Sequence, residues 1–168
     1  MVIAHNGQAF DVKRSMERFL YHGLGNPSDF SQVDTLSTAR KYFKMGSNKL
    51  DRIGRHLGIG RKLKHTGIDL WFDCMDGDPK AWRMMIRYNK QDVQLLEDVY
   101  LKLRPFMKNH PNVNVLDNRT EACPICGSKK LQRRGFSYTR VSKKQRYQCN
   151  DCHGWSTGKT DQKALDIR

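Results

Sequence analysis

Cys123-Pro124-Ile125-Cys126 and Cys149-Asn150-Asp151-Cys152 stand 22 residues apart, and their paired spacing decides how the last third of the chain folds. Each Cys-x-x-Cys turn lets two thiolates converge on one ion, and four soft sulfurs suit a tetrahedral structural Zn²⁺. Gly127 follows the first pair, where a tight turn needs a permissive backbone. So short a segment cannot hold its shape by burial alone, so metal binding would also be its folding energy. A redox or disulfide pair is the competing use of the same spacing. His153 could substitute as a ligand, although a lone neighbouring histidine is usually incidental. The expectation is a small β zinc ribbon over residues 119–160, held by Cys123, Cys126, Cys149 and Cys152, with a tail over 161–168.

Between the knuckles lie Lys129, Lys130, Arg133, Arg134, Arg140, Lys143, Lys144 and Arg146, interleaved with Phe136, Tyr138 and Tyr147. Alternation such as Arg146-Tyr147-Gln148 predicts antiparallel strands that present cations to phosphates and rings to bases. A charge run is ordinarily a solvated face, but eight cations with no acid from Lys129 to Gln148 favour phosphate contact. Such contacts are largely blind to base sequence, so the ribbon is expected to position substrate rather than choose a site.

The same bias marks the whole chain. Its 31 Lys and Arg against 17 Asp and Glu give a formal charge of +14, which suits a polyanionic partner, nucleic acid first. No apolar run approaches bilayer-spanning length, and Met1 to His5 lacks the basic and apolar regions of a signal peptide. The expectation is a soluble, intracellular, cytoplasmic protein with no membrane partner. Cys74, the fifth cysteine, lies in an apolar stretch and reads as a buried small hydrophobe.

Working back from the ribbon, residues 106–118 lack periodicity and read as a linker. Asp78-Pro79 supplies an N-cap and a proline at the first helical position. The helix it opens carries Trp82, Met85, Ile86, Val93, Leu96, Val99, Tyr100 and Leu103 as expected core, and Pro105 ends it. Earlier, Val2 to His5 reads as a strand followed by an Asn6-Gly7 turn. From Asp11, Val12, Met16, Phe19 and Leu20 recur at helical spacing. Asp34 or Thr35 can cap a second helix reaching about Phe43, and Ser47 a third that carries Leu50, Ile53 and Leu57. The fold class is therefore α/β, mostly helical over residues 1–105, followed by the ribbon.

Two carboxylates stand out. Asn6-Gly7-Gln8-Ala9-Phe10-Asp11 places one just after a strand and turn, and Tyr88-Asn89-Lys90-Gln91-Asp92 puts a phenol and a carboxylate on one helical face. Phosphodiester hydrolysis uses carboxylates to hold two divalent ions about 4 Å apart, one activating water and one stabilising the leaving oxygen. A nearby tyrosine hydroxyl can orient that water. By spacing alone, a helical Tyr and Asp four apart are common and usually structural.

The strings Ala4-His5-Asn6 through Phe10-Asp11 and Tyr88-Asn89 through Asp92-Val93 resemble the second and third motifs of proofreading-type 3′→5′ exonucleases with an RNase H-like fold. Asp34-Thr35-Leu36, Ser47-Asn48-Lys49-Leu50-Asp51 and the Leu57-Gly58 region look like phage-encoded members, in which a zinc ribbon often follows. The likeness extends over nearly the whole chain. It implies that Asp11 and Asp92 are Mg²⁺ or Mn²⁺ ligands, that Tyr88 positions the attacking water, and that Asn6 and Phe10 flank the substrate strand. It also implies host cytoplasm as the location if the gene is a phage's.

The sequence departs from that family in one respect. The family opens with an Asp-x-Glu strand that supplies two of four carboxylates, and no Asp-x-Glu occurs here. Asp34, Asp69, Asp73, Asp76 and Asp78 are better explained as caps or turn residues than as replacements. The expectation is an N-terminally truncated exonuclease-like domain that acts on DNA with carboxylates from a partner polypeptide. The alternatives are a catalytically inactive nucleic-acid-binding module and a protein-docking module.

Overall fold

The structure, a computed structural model, describes residues 1–163; the last residues of the expected tail, 164–168, lie outside the described residues. The chain divides into two compact units, one spanning Met1–Leu103 and one beginning at Arg104.

In the first unit, β1 (Val2–Ala4) and β2 (Gln32–Asp34) pair in parallel, with Ile3 opposite Val33. Parallel strands need a crossover, here provided by α1 (Asp11–Tyr21). The helices α2 (Thr35–Tyr42), α3 (Leu50–His56) and α4 (Asp69–Met75) pack against α5 (Pro79–Leu103). Ile53, Leu95, Val99 and Leu103 form the driest part of the core. Gly54 makes the α3–α5 approach feasible, because a Cβ there would sit 2.7 Å from Leu95 Cδ1 and 2.8 Å from the Gly60 carbonyl. Cys74 is buried with Leu70 and Ala81 in a second cluster.

A buried carboxylate ties the strands to the helices. Asp34 ends β2, and its Oδ1 accepts from Leu36 N (2.9 Å) and Ser37 N (3.2 Å), capping α2. The same carboxylate also accepts from Asn6 N (3.0 Å) and Gln8 N (3.3 Å) in the turn after β1. Beside it, His5 pairs with Thr35 Oγ1 and with the Asn48 carbonyl, each at 2.9 Å, and burial lowers its pKa. Asn6 turns the chain at φ 74°, which asparagine tolerates better than most residues. At Gly7, any Cβ would collide with that of Ala4.

Several expectations are corrected here. Leu20 is 83% exposed and no residue of α1 is buried, so this helix does not build the core. On α5, Trp82, Ile86 and Val93 face outward, because the packed face is the one through Ala81, Leu95, Val99 and Leu103. The cap position of α3 is Lys49 rather than Ser47, whose hydroxyl reaches Lys49 N only at 3.5 Å. β2 and α4 were not anticipated.

In the second unit, a 3₁₀ turn covers Arg104–Phe106 and a short helix, α6, covers Val113–Leu116. The expected linker thus carries structure. Val113 N donates to the Pro124 carbonyl (2.9 Å) and the Asn114 amide to the Ala122 carbonyl (2.8 Å), which docks α6 on the first knuckle. An antiparallel sheet follows in the order β3 (Leu131–Tyr138), β4 (Ser142–Cys149), β5 (Trp155–Lys163). Strand β5 therefore continues into the segment expected as tail.

Replacing Asp34 by Ala leaves four backbone donors without their acceptor and should cost about 3 kcal/mol. Urea unfolding of wild type and variant measures this, and an unchanged midpoint would remove Asp34 from its structural role.

Candidate functional site

The one-turn spacing of Tyr88 and Asp92 on α5 aims both side chains at Lys62, which arrives from the loop after α3. Lys62 Nζ lies 2.6 Å from Asp92 Oδ2 and 3.2 Å from the Tyr88 hydroxyl. The loop is anchored by Lys62 N, which donates to Asp51 Oδ1 at 2.9 Å. Burial pulls the Lys62 pKa down, but the hydrogen bonds to Asp92 and Tyr88 outweigh it and the net shift is upward, so the side chain stays a cation. Because the ammonium donates to the phenol oxygen, the Tyr88 proton must point elsewhere. Asp92 Oδ1, by contrast, is buried and has no hydrogen-bond partner among the described residues. The carboxylate therefore has one oxygen neutralised by lysine and one buried without a partner, which a further cation or donor would satisfy. The Tyr88 ring is held edge-on by His65, with centroids 4.7 Å apart, and His65 meets Trp71 at 5.3 Å.

Sequence reasoning missed Lys62. It lies thirty positions from Asp92, and nothing in the local pattern distinguishes it from the chain's other lysines.

Asp11 sits exposed in the first turn of α1, where a carboxylate also favours the helix dipole. Asn6 holds its left-handed turn through Asp34, and Phe10 is 60% exposed at the α1 cap. Among the described residues, the four cysteines are the one group of three or more His, Cys, Asp or Glu side chains whose ligand atoms converge. Neither Asp11 nor Asp92 belongs to a ready-made three-ligand site.

The four cysteine sulfurs all lie within 4.8 Å of one another. The Cys123–Cys152 and Cys126–Cys149 separations are both 3.7 Å. A tetrahedron with metal–sulfur bonds of ~2.3 Å has edges of about 3.8 Å, so the cage fits one ion. These separations are far beyond a disulfide bond, and all four cysteines are unlinked. Burial pushes the Cys149 thiol up, but hydrogen bonds with the Cys152 and Asp151 backbone and with the Cys126 and Cys152 thiols bring it down to about 7. Burial raises Cys126 and Cys152. Four thiolates cannot share so small a volume without a cation, and the cage can hold a metal. Ser128 and Lys130 link the knuckles by hydrogen bonds to Asp151, at 2.8 and 3.2 Å.

Of the predicted ribbon contacts, Lys129 and Lys130 flank the first knuckle, and Arg140 lies in the β3–β4 turn. Arg133, Arg134, Phe136 and Tyr138 lie on β3, and Lys143, Lys144 and Arg146 on β4. Lys130 is spoken for by Asp151, and Arg134 Nε donates to Gln132 Oε1 at 3.0 Å.

Metal binding to the cage must displace thiol protons, so affinity should fall as pH falls and binding at neutral pH should release protons. Calorimetric Co²⁺ titrations in buffers of different ionisation heat test this, with one equivalent expected and Cys149→Ser losing it. Binding unaffected by pH or by that substitution would contradict the four-thiolate site.

No curated protein and no solved structure matches the chain. A family model described as the RNase_H superfamily matches residues 1–104, the stretch that contains Asp11, Lys62, Tyr88 and Asp92. On that match, which covers more than half of its length, the chain belongs to the RNase_H superfamily.

Proposed function

We propose that this protein is a metal-dependent 3′→5′ exonuclease-type protein acting on DNA. The observation that carries the reading is Asp92, a half-buried carboxylate one helical turn from Tyr88, with one oxygen on Lys62 and the other buried without a partner. A divalent ion, Mg²⁺ or Mn²⁺, would supply an activated water and charge stabilisation for the leaving oxygen. Asp92 and Asp11 are the ligands this sequence offers, which is fewer than a two-ion site requires. The remaining carboxylates are therefore assigned to a partner polypeptide. The two-stranded parallel sheet, with unpaired edges, and the amphipathic α1, with nothing buried, support such an addition.

Within this chain, the Lys62 ammonium takes one acceptor position of the Tyr88 oxygen, which leaves the phenol proton available to orient water or a phosphate oxygen. Lys62 also pairs directly with Asp92 at 2.6 Å. Asn6 and Phe10, beside Asp11, would flank the substrate strand. The cysteine cage is assigned to Zn²⁺, which suits four sulfurs at tetrahedral spacing and would serve a structural role. The basic ribbon would hold nucleic acid. No helix among the described residues is long and apolar enough to cross a membrane; the proposed setting is the cytoplasm, a host's if the gene is a phage's.

One observation favours a second reading. Lys62 already supplies Asp92 with a cation, and no three-ligand carboxylate group is present among the described residues. That arrangement suits a non-cutting nucleic-acid-binding module.

Digestion of 3′- and 5′-end-labelled single-stranded DNA in Mn²⁺ tests whether the chain cuts on its own. The nuclease reading expects stepwise loss from the 3′ end, reduced about a hundredfold or more by Asp92→Asn and less by Tyr88→Phe. Salt-sensitive binding with no cleavage would rule out a stand-alone nuclease and leave a split enzyme or the binding module.

A further inference from the structure

We infer that one face of the ribbon sheet is a stacking platform for single-stranded nucleic acid, built by a bulge at Gly135. The inference rests on reading the protein as one that acts on nucleic acid, and it adds the substrate's form. Along a regular strand, Arg133 and Phe136 would point to opposite faces, being an odd number of residues apart. They do not, because Arg133 pairs with Tyr147 while Phe136 pairs with Gln145, so Arg134 and Gly135 together oppose Arg146. Gly135 takes φ 66°, a left-handed conformation that glycine adopts without steric cost. The extra residue re-phases β3.

Cross-strand partners share a face, so one face gathers Arg133, Phe136 and Tyr138 from β3 with Lys143 and Tyr147 from β4. Side-chain positions agree with the pairing. Lys143 Nζ lies 4.1 Å from the Phe136 ring centroid. Tyr147 lies along β5 at Gly158, where a Cβ would be 3.1 Å from its Cε2, so the missing side chain lets the ring lie close to the strand. Tyr138 is 71% exposed, and Phe136 is 37% exposed beneath the Lys143 ammonium. The other face carries Arg134, bonded to Gln132, and Arg146, whose guanidinium covers the Trp155 ring at 5.2 Å. The rings and cations are thus sorted: three aromatics between two cations on one face, a capped tryptophan on the other.

Rings spaced along adjacent strands offer π-faces to successive bases, and such faces are accessible only when the bases are unstacked from a duplex. Arg133 and Lys143 supply the matching phosphate contacts. Duplex nucleic acid can engage the cations but not the rings, and an acidic protein likewise offers charge without planar bases.

The full-length, zinc-loaded chain is tested by fluorescence anisotropy at fixed salt, with no added Mg²⁺ or Mn²⁺. The probes are oligothymidylate, oligouridylate, an abasic oligonucleotide with equal phosphates, and a duplex of the same length. Base-bearing single strands should bind about tenfold or more tighter than the abasic strand, and tighter than the duplex. The arms that compare deoxyribose with ribose identify which single strand is preferred. Phe136→Leu with Tyr138→Leu should erase the difference between base-bearing and abasic strands, with the Co²⁺–thiolate absorption unchanged to show an intact ribbon. Lys144→Ala, on the other face, should weaken base-bearing and abasic strands equally.

Equal binding of abasic and base-bearing strands by the wild type, or duplex binding as tight as single-strand binding, would overturn the platform. This result is separable from the nuclease reading. A protein that discriminates bases from abasic sites but never cuts contradicts only the nuclease, and one that cuts without such discrimination contradicts only the platform.

Discussion

Four backbone N–H groups converge on the Asp34 carboxylate, two from the turn after β1 and two from the start of α2. A three-residue parallel strand pair has little ladder of its own, so this charge-assisted junction does much of the work of joining β1 to the helices. The turn it pins carries Asn6 at positive φ and leads within a few residues to Phe10 and Asp11. The structural junction is therefore tied to the candidate positions Asn6, Phe10 and Asp11 through a residue that serves as a cap. Its acceptor capacity is already committed to backbone donors.

The second junction is electrostatic. Lys62 crosses from the loop after α3 to Asp92 and Tyr88 on α5, and its own backbone is tied to Asp51 on α3. A half-buried carboxylate needs a cation or several donors, and here it has one cation and an unpartnered oxygen. The ribbon repeats the principle with sulfur in place of oxygen. Four crowded thiols are a poor arrangement for protons and a good one for a soft divalent ion.

How much of this was legible in the sequence depended on how local each signal is. The two Cys-x-x-Cys knuckles declare themselves, because ligand spacing within a turn is a local property. The start of α5 is equally plain, since Asp78 and Pro79 are placed where a helix begins and Asp78 accepts from Lys80 N. Strand β2 left no such trace; it is three residues long and defined by a partner some thirty positions away. On α5, apolar residues occupy two faces, and periodicity cannot say which is covered. Trp82, Ile86 and Val93 are therefore expected in a core that in fact runs through Ala81 and Leu95 together with the expected Val99, Tyr100 and Leu103. Lys62 was invisible for the same reason as β2, and the sorting of the ribbon's rings depends on a bulge that simple alternation does not anticipate.

The proposed function puts a divalent cation at the buried, unpartnered oxygen of Asp92, beside Tyr88. The most direct measurement is paramagnetic line broadening in NMR spectra of the zinc-loaded chain as Mn²⁺ is added. Selective broadening of the Asp92, Tyr88 and Lys62 resonances, lost in Asp92→Asn, is the result this account predicts. Broadening confined to exposed acids such as Glu97 and Asp73, with Asp92 and Tyr88 untouched, would contradict it.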